Sequence, residues 1–267
     1  VVDIDGAVDM ASTLAVAGVV TVSDGSASAP SITNVGDTNS GVYFPADDNV
    51  GLVIGGSRKL LANSSGVTIN NGDLTLPDGT DLITGSAGTS NFRAGVNAGN
   101  SITSGGNRNT LVGDEAGTAI TTGDDNTTFG YAAGDAITTA VENTALGSHA
   151  LSAVTTGNSN TAIGMNAGLL ITTGTNNVAV GPYALTTMTT SDYNTAVGRS
   201  AGRVITTGSQ NTLIGGLAGD ALTDADFNAA VGVGALGADT LGSRSTAVGQ
   251  QALGLQNFTS ATDTYNT

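Results

Sequence analysis

The side chains that could do chemistry are few and scattered. His149 is the single histidine and follows Ser148 directly, and a serine beside an imidazole is the minimum for nucleophilic acyl transfer. Three adjacent carboxylate pairs, Asp47/Asp48, Asp114/Glu115 and Asp124/Asp125, supply the residue type that general acid-base catalysis uses. The stretch GDDN at 123–126 offers hard oxygen ligands of the kind calcium takes. The stretches GGLAG (215–219) and GVGALG (232–237) have the glycine density of a phosphate loop.

Each has a plainer reading. His149 occupies a freely varying position between a fixed Gly147 and a fixed Ala150, so it reads as a loop residue facing solvent. Adjacent carboxylates diverge on a strand or turn, and these pairs do not recur in neighbouring repeats, so they read as solvated turns. The GDDN stretch lacks both helix-loop-helix spacing and the Gly-Gly-x-Gly-x-Asp nonapeptide of calcium rolls. No Gly-Lys-Ser/Thr follows the glycine loops. The sequence therefore assigns no catalytic residue, cofactor or metal ligand, and the expected function is non-enzymatic.

The elements that would have to position such residues are set by a repeat. Aligned on Asn, the line NTAIGMNAGLLITTG (160–174) returns at Asn109, Asn126, Asn143, Asn160, Asn177, Asn194, Asn211 and Asn228, every 17 residues, with Ser245 next and a degenerate copy starting at Asn91. Such a fixed period marks a solenoid. All ten copies have Gly four residues after the Asn (Gly164 in this line) and Ala three residues later (Ala167). The Gly predicts positive φ or a backbone approach that excludes a β-carbon, and the Ala a slot too small for anything larger. A branched or aromatic residue precedes the Gly (Ile163). A second apolar position (Ile171) heads Thr-Thr-Gly, and is lost at Asp239 and Gln256. One coil then reads as a short strand Thr-Ala-Ile, a Gly turn, a second extended segment from the Ala to the Ile-Thr-Thr, and a polar turn back. The recurring Asn predicts an internal amide ladder.

Composition agrees with an all-β repeat. The 267 residues include 40 Gly, no Trp, no Cys and 4% aromatics, which leaves only small aliphatic residues for a thin core. Seven basic and 22 acidic residues give a net charge of -15, which disfavours nucleic acid and anionic lipid as partners. No apolar run reaches the roughly 18 residues that span a bilayer. Without cysteine there are no disulfides. The Thr-Thr column raises ice binding, but adjacent threonines point to different sides, unlike a Thr-x-Thr array.

In NTAIG, Ala162 and Ile163 must face opposite sides of their strand, and most copies are apolar at both positions. Both faces are therefore expected to be buried, one inside the coil and one against the same strand of a sister chain in a closed rotational homo-oligomer.

The NTAVG line resembles the head repeats of trimeric autotransporter adhesins, a left-handed parallel β-roll in which three chains pack side by side. The longer NTAVGRSAGRVITTGSQNTLIG (194–215) is more similar to the repeats of bacteriophage tail fibres. Residues 28–69, including APSITNVGDTNSGVYFPADDNVGLVIGGSRKLLANSSGV, resemble a module that precedes such repeats. The resemblance implies an elongated homotrimeric fibre of about ten coils. It implies a virion location, neighbours among tail or baseplate proteins, and a host cell-surface glycan or protein as the recognised object, with no nucleic-acid partner and no membrane insertion. A bacterial trimeric surface adhesin or a virion head fibre would use the same repeat, and a capsule depolymerase is the enzymatic alternative. Adhesin repeats are usually shorter than 17 residues, which leaves the coil shape open.

The expected organisation is a β shaft segment at 1–27, a small β module and transition at 28–90, and the repeat at 91–267. Chain is expected before residue 1. It is also expected after residue 267, where Asn266-Thr267 opens another repeat, and the resemblance implies a receptor-binding tip or self-cleaving chaperone there. Tyr131, His149, Tyr183, Tyr193 and Arg199 vary between coils, so they either touch a receptor or face solvent. With so few aromatics, a sugar-stacking platform along the repeat is not expected, and the specific receptor contact is expected outside this segment.

Overall fold

The computed structural model describes residues 21–34, 36–64, 66–69 and 88–266. The expected shaft segment at 1–27 lies outside the described residues up to residue 20, as does the transition up to residue 87. The chain divides into two units, Val1–Asp81 and Leu82–Thr267.

The first unit holds a five-stranded antiparallel meander of β1 (Ile32–Asn34), β2 (Asp37–Tyr43), β3 (Val50–Ile54), β4 (Ser57–Asn63) and β5 (Gly66–Ile69), paired in chain order. In β3, Gly51 and Val53 are buried while Val50, Leu52 and Ile54 face out, as side-chain alternation requires. Gly51 stands opposite Tyr43, and a β-carbon there would strike the Tyr43 ring. The glycine thus makes room for the largest buried side chain of this sheet.

The second unit is a parallel β-solenoid. Its ten-stranded sheet joins β6 (Phe92–Ala94), β7 (Thr110–Val112), β8 (Thr127–Phe129), β9 (Thr144–Leu146), β10 (Thr161–Ile163), β11 (Val178–Val180), β12 (Thr195–Val197), β13 (Thr212–Ile214), β14 (Ala229–Val231) and, after β15 (Gly242–Ser243), β16 (Thr246–Val248). Each strand pairs in register with its equivalent one coil away: Ala162 faces Ala145 on one side and Ala179 on the other. At the usual strand spacing of about 4.8 Å, ten coils stack to roughly 45 Å.

The fixed glycine has both properties expected of it. Gly164 sits at φ +129°, and a β-carbon on it would lie 2.7 Å from the carbonyl carbon of Gly181 and 2.9 Å from the nitrogen of Pro182. Ala167 is fully buried.

The second extended segment is not formed. Between the Gly and the Ile the chain makes two successive turns: the Ala167 N–H donates to the Gly164 carbonyl (3.2 Å) and the Ile171 N–H to the Gly168 carbonyl (3.1 Å). Extended backbone is impossible there because the residues six and eight after the Asn are left-handed in every coil, as at Asn166 (φ 57°) and Gly168 (φ 59°). A third left-handed position immediately precedes each Asn, as at Ser159 (φ 56°) and Asn176 (φ 58°). The backbone pairing between coils persists through these turns, with Gly168 N–H on the Ala184 carbonyl and Leu170 N–H on that of Thr186.

Three side-chain ladders run along the stack. The buried Asn160 Oδ1 accepts from both the backbone and the side-chain nitrogen of Asn177, while its own Nδ2 donates to the Gly174 carbonyl at 2.8 Å. The first threonine of each Thr-Thr pair donates to the carbonyl of its equivalent one coil on, as Thr172 does to Thr189 (3.1 Å). Two residues before the Asn, an Asp, Asn or Ser accepts from the backbone of the previous coil, as Asp192 does from Thr175 and Asp226 from Ser209. Buried polar groups are tolerated when partnered in this way.

The core is filled by complementary volumes. Where Leu111 and Leu213 stand two residues after the Asn, Gly117 and Gly219 stand eight after; where Leu151, Leu185 and Leu236 stand eight after, Ala145, Ala179 and Ala230 stand two after. The coils bearing Ala162/Gly168 and Ala196/Gly202 carry neither leucine and lie between coils that do. A β-carbon on Gly168 would meet Leu151 Cδ2 at 2.8 Å, so the leucine of one coil occupies the space its neighbour leaves.

At the far end the interior column turns polar. Asp239 is fully buried, and its Oδ1 accepts the N–H groups of Gly242 (3.1 Å) and Phe258 (3.0 Å). Its Oδ2 accepts from Gln256, whose own side-chain oxygen accepts from Asn266. The loop that supplies Phe258 also carries β17 (Thr262–Asp263), paired with β15. Thr246 N–H donates to the Asn266 carbonyl at 2.7 Å, the bond that Thr161 makes to Asn177 at 2.8 Å. Asn266 thus occupies the Asn position after a coil of 21 residues.

Candidate functional site

The fixed residues leave two kinds of outward surface. One is the face of the parallel sheet. Ala162 is fully buried, but Ile163 is 37% exposed, Phe129 53% and Val248 70%, and Val112, Val180 and Val197 are partly exposed. Within one chain only the inner face of the strand is buried, and the expected cover of the outer face is a sister chain. A 17-residue coil encloses one interior, and the residue before the Gly points away from it.

The other surface is the variable edge beyond the Gly turn, where residues five, six and nine after each Asn project. Tyr131, His149, Tyr183 and Arg199 lie on it. Tyr193 does not: it immediately precedes Asn194, at the opposite end of the strand, and is 61% exposed. Met165 is exposed here and Asn166 half-buried.

Two groupings form on this edge. In the first, Ser148 Oγ lies 2.9 Å from His149 Nδ1, and the His149 ring meets Tyr131 edge-on at 5.2 Å between centroids. Burial holds the nearby Asp135 carboxyl above its ordinary range. Its own N–H, His149 and the Ala136 N–H pull it back down, and Glu115 pushes it further up. Asp135 Oδ1 is buried without a hydrogen-bond partner, and no hydrogen bond joins Asp135 to His149. A serine, a histidine and an aspartate are thus neighbours without the orienting contact that a catalytic triad uses.

The second grouping is concave. Tyr183, Arg199, Ser200, Arg203 and Leu217 line a hollow of about 310 Å³. Leu217 also borders a second hollow of about 410 Å³, with Asp220, Gly234, Gly237, Gln251, Gly254 and Leu255. The second hollow exists because Gly237 and Gly254 stand nine after the Asn, where earlier coils carry Asp135, Ser152 or Thr186, so the edge loses its side chains there. Burial raises the Asp220 carboxyl, and Arg203 draws it partly back. Among the described residues neither Arg199 nor Arg203 forms an ion pair, whereas Arg108 pairs with Asp125 at 2.7 Å and Arg244 with Asp263 at 3.2 Å.

The other sequence candidates resolve into structure. Asp124 and Asp125 are both tied to Arg108, Asp125 at 2.7 Å and Asp124 at 3.5 Å, and Asp124 Oδ1 also accepts the Asn107 N–H at 2.7 Å. Asp47 and Asp48 are exposed, and Glu115 is half-buried with a left-handed backbone. Gly215 and Gly232 are repeat turns at φ +134° and +138°. The second threonine of the pair, Thr173, is exposed, while the first serves the ladder. Among the described residues, no group of three His, Cys, Asp or Glu could hold a metal ion, and no helix is long and apolar enough to cross a membrane.

Sequence reasoning did not single out Arg203, Leu217, Asp220 or Gln251. The only signal was two arginines four residues apart in a chain with seven basic residues.

The coil stack, its ladders and its single thin core define a β-solenoid repeat protein of about ten 17-residue coils. Comparison with known protein families, with curated proteins and with solved structures gives no match.

Proposed function

We propose that this chain is a segment of a homotrimeric bacteriophage tail fibre, a non-enzymatic part of the virion that projects from the tail and supports attachment to the host cell. One observation carries the assembly: the column Val112, Phe129, Leu146, Ile163, Val180, Val197, Ile214, Val231 and Val248 lies along one face of the solenoid sheet, partly or fully exposed among the described residues of this unit. Monomeric proteins seldom leave so long an apolar strip in water. The same strip on a sister chain is its natural cover, because identical coils match its spacing rung for rung. Three copies close the arrangement around one axis, the number the adhesin-head resemblance gives.

The phage setting rests on the similarity of residues 28–69 and 194–215 to tail-fibre sequences. In that setting the stack acts mechanically, and several fibres engaging together give avidity beyond any single contact. Sedimentation of the purified chain tests the assembly, with a trimer of three 26.0 kDa chains expected and a monomer overturning it. Immunogold labelling of the source particle tests the setting. Label on a phage tail supports the fibre, and label on a bacterial surface assigns the trimer to an adhesin instead.

A further inference from the structure

We infer that the paired hollows between Tyr183 and Gln251 form a binding site for a carboxylate-bearing saccharide. Arg199 and Arg203 lie in one coil beside the first hollow and, among the described residues, neither forms an ion pair, although Arg203 attracts the Asp220 carboxylate of the second hollow. In a chain of net charge -15, two guanidinium groups outside any close ion pair at one concave place are the local exception to a repelling field. A guanidinium holds a carboxylate through a planar fork of N–H donors, so the pair fits an acidic group better than a hydroxyl.

The second hollow carries the opposite chemistry. Asp220 and Gln251 present oxygens and an amide that accept from and donate to hydroxyls, and Leu217 gives an aliphatic surface between the two hollows. A saccharide with one uronic or sialic acid unit matches this order: acid on the arginines, ring face on Leu217, hydroxyls on Asp220 and Gln251. An acidic peptide matches it less well. A peptide would bring further carboxylates against Asp220, and the hollows lie in turns that offer no strand edge for its backbone. The glycines at 237 and 254 explain why the second hollow is local, since there the side chain nine after the repeat's first position is missing. The site lies past the Gly turn from the apolar column, on a different surface from the proposed trimer contact. It places a ligand contact within the repeat and includes Tyr183 and Arg199, which the sequence left open between receptor contact and solvent, whereas the specific receptor contact is expected from the sequence to lie outside this segment.

The test is titration of the full chain with trigalacturonic acid, its methyl ester and neutral maltotriose, followed by calorimetry. Saturable binding of the acid, weakened at least about tenfold in the ester, supports the site. So does a similar loss in R199Q/R203Q, with R108Q unchanged and thermal unfolding equal in all three proteins. Binding that survives in R199Q/R203Q, equal binding of the ester or maltotriose, tighter binding of an oligoglutamate peptide, or no binding of the acid overturns it. The inference rests on the fibre reading only for its setting, a particle that meets cell-surface saccharides. A trimer that binds no saccharide defeats the inference alone, and a monomer that binds defeats the assembly alone.

Discussion

The side-chain oxygen of Asn143 accepts two bonds from Asn160, at 3.0 Å from its backbone nitrogen and 3.2 Å from its amide nitrogen. Asn160 repeats this toward Asn177, so each rung is both donor and acceptor in one buried column. Replacing Asn160 by Ala leaves the Asn177 N–H and the Gly174 carbonyl unpaired inside the stack. At about 1–3 kcal/mol for each orphaned group, the expected loss is about 2–5 kcal/mol in urea unfolding. The Asn177 amide should lose hydrogen-exchange protection first, and unchanged protection there would contradict the ladder's role.

A comparison of two glycines separates steric contact from backbone strain. Gly164→Ala forces a β-carbon to 2.7 Å from the next coil, whereas at Gly249 the nearest atom to an added β-carbon is 4.0 Å away. Both have positive φ, so both carry a strain cost of about 1–3 kcal/mol. Only Gly164→Ala carries the clash as well, and it should lower the melting temperature clearly more. Equal shifts would mean that conformation alone fixes these glycines.

These two positions also show what could be read before any coordinates. The Asn, Gly and Ala columns repeat because their environments tolerate one residue each, so comparison of coils within one chain reveals them. The turns after the Gly are not legible as turns, because left-handed backbone is expected at glycine, while here Asn166, Tyr183 and Leu185 all adopt it. Each costs roughly 1–2 kcal/mol in isolation, and the turn and inter-coil bonds around them hold them there. The hollows were invisible for another reason. The second arises from missing side chains at Gly237 and Gly254, both are lined by residues from more than one coil, and no single stretch of sequence contains the site.

The alternating core predicts a rescue. Leu151→Gly empties the space beside Gly168 and should cost several kcal/mol, near the upper part of the 2–5 kcal/mol range for a buried leucine truncated to Ala. Ala145→Leu alone overfills the same coil. The double substitution A145L/L151G reproduces the Leu111/Gly117 and Leu213/Gly219 coils, so it should be more stable than either single variant. An additive double-mutant cycle would refute volume exchange between the two positions.

Asp135 predicts a pH dependence. Because burial, the largest influence, raises its carboxyl above the ordinary range, the folded chain binds this proton more tightly than the unfolded chain does. Its contribution to stability is most favourable at low pH and falls as pH rises from the ordinary carboxyl value through the raised one. Asp135→Asn should therefore raise the melting temperature at neutral pH. The gain should vanish in acid, where the carboxyl is protonated in both states. A constant gain at every pH would point to packing or hydrogen bonding of the amide instead.

The outward column gives the most decisive substitution. Ile163 is 37% exposed in the single chain and Phe129 53%, so a monomer should accept Glu at both with little loss, within about 0.5 kcal/mol each for surface changes. If the column is the contact between copies, each Glu instead enters an apolar seam. It meets its own equivalents around the axis, where burial of an unpaired charge is prohibitive. The double variant F129E/I163E should then sediment as a monomer while its coils keep their β-sheet circular dichroism and their amide protection. Ala162→Glu is the contrasting control, because Ala162 is fully buried inside the coil and its replacement should unfold the stack with or without assembly. A trimer that survives F129E/I163E would show that the copies meet elsewhere.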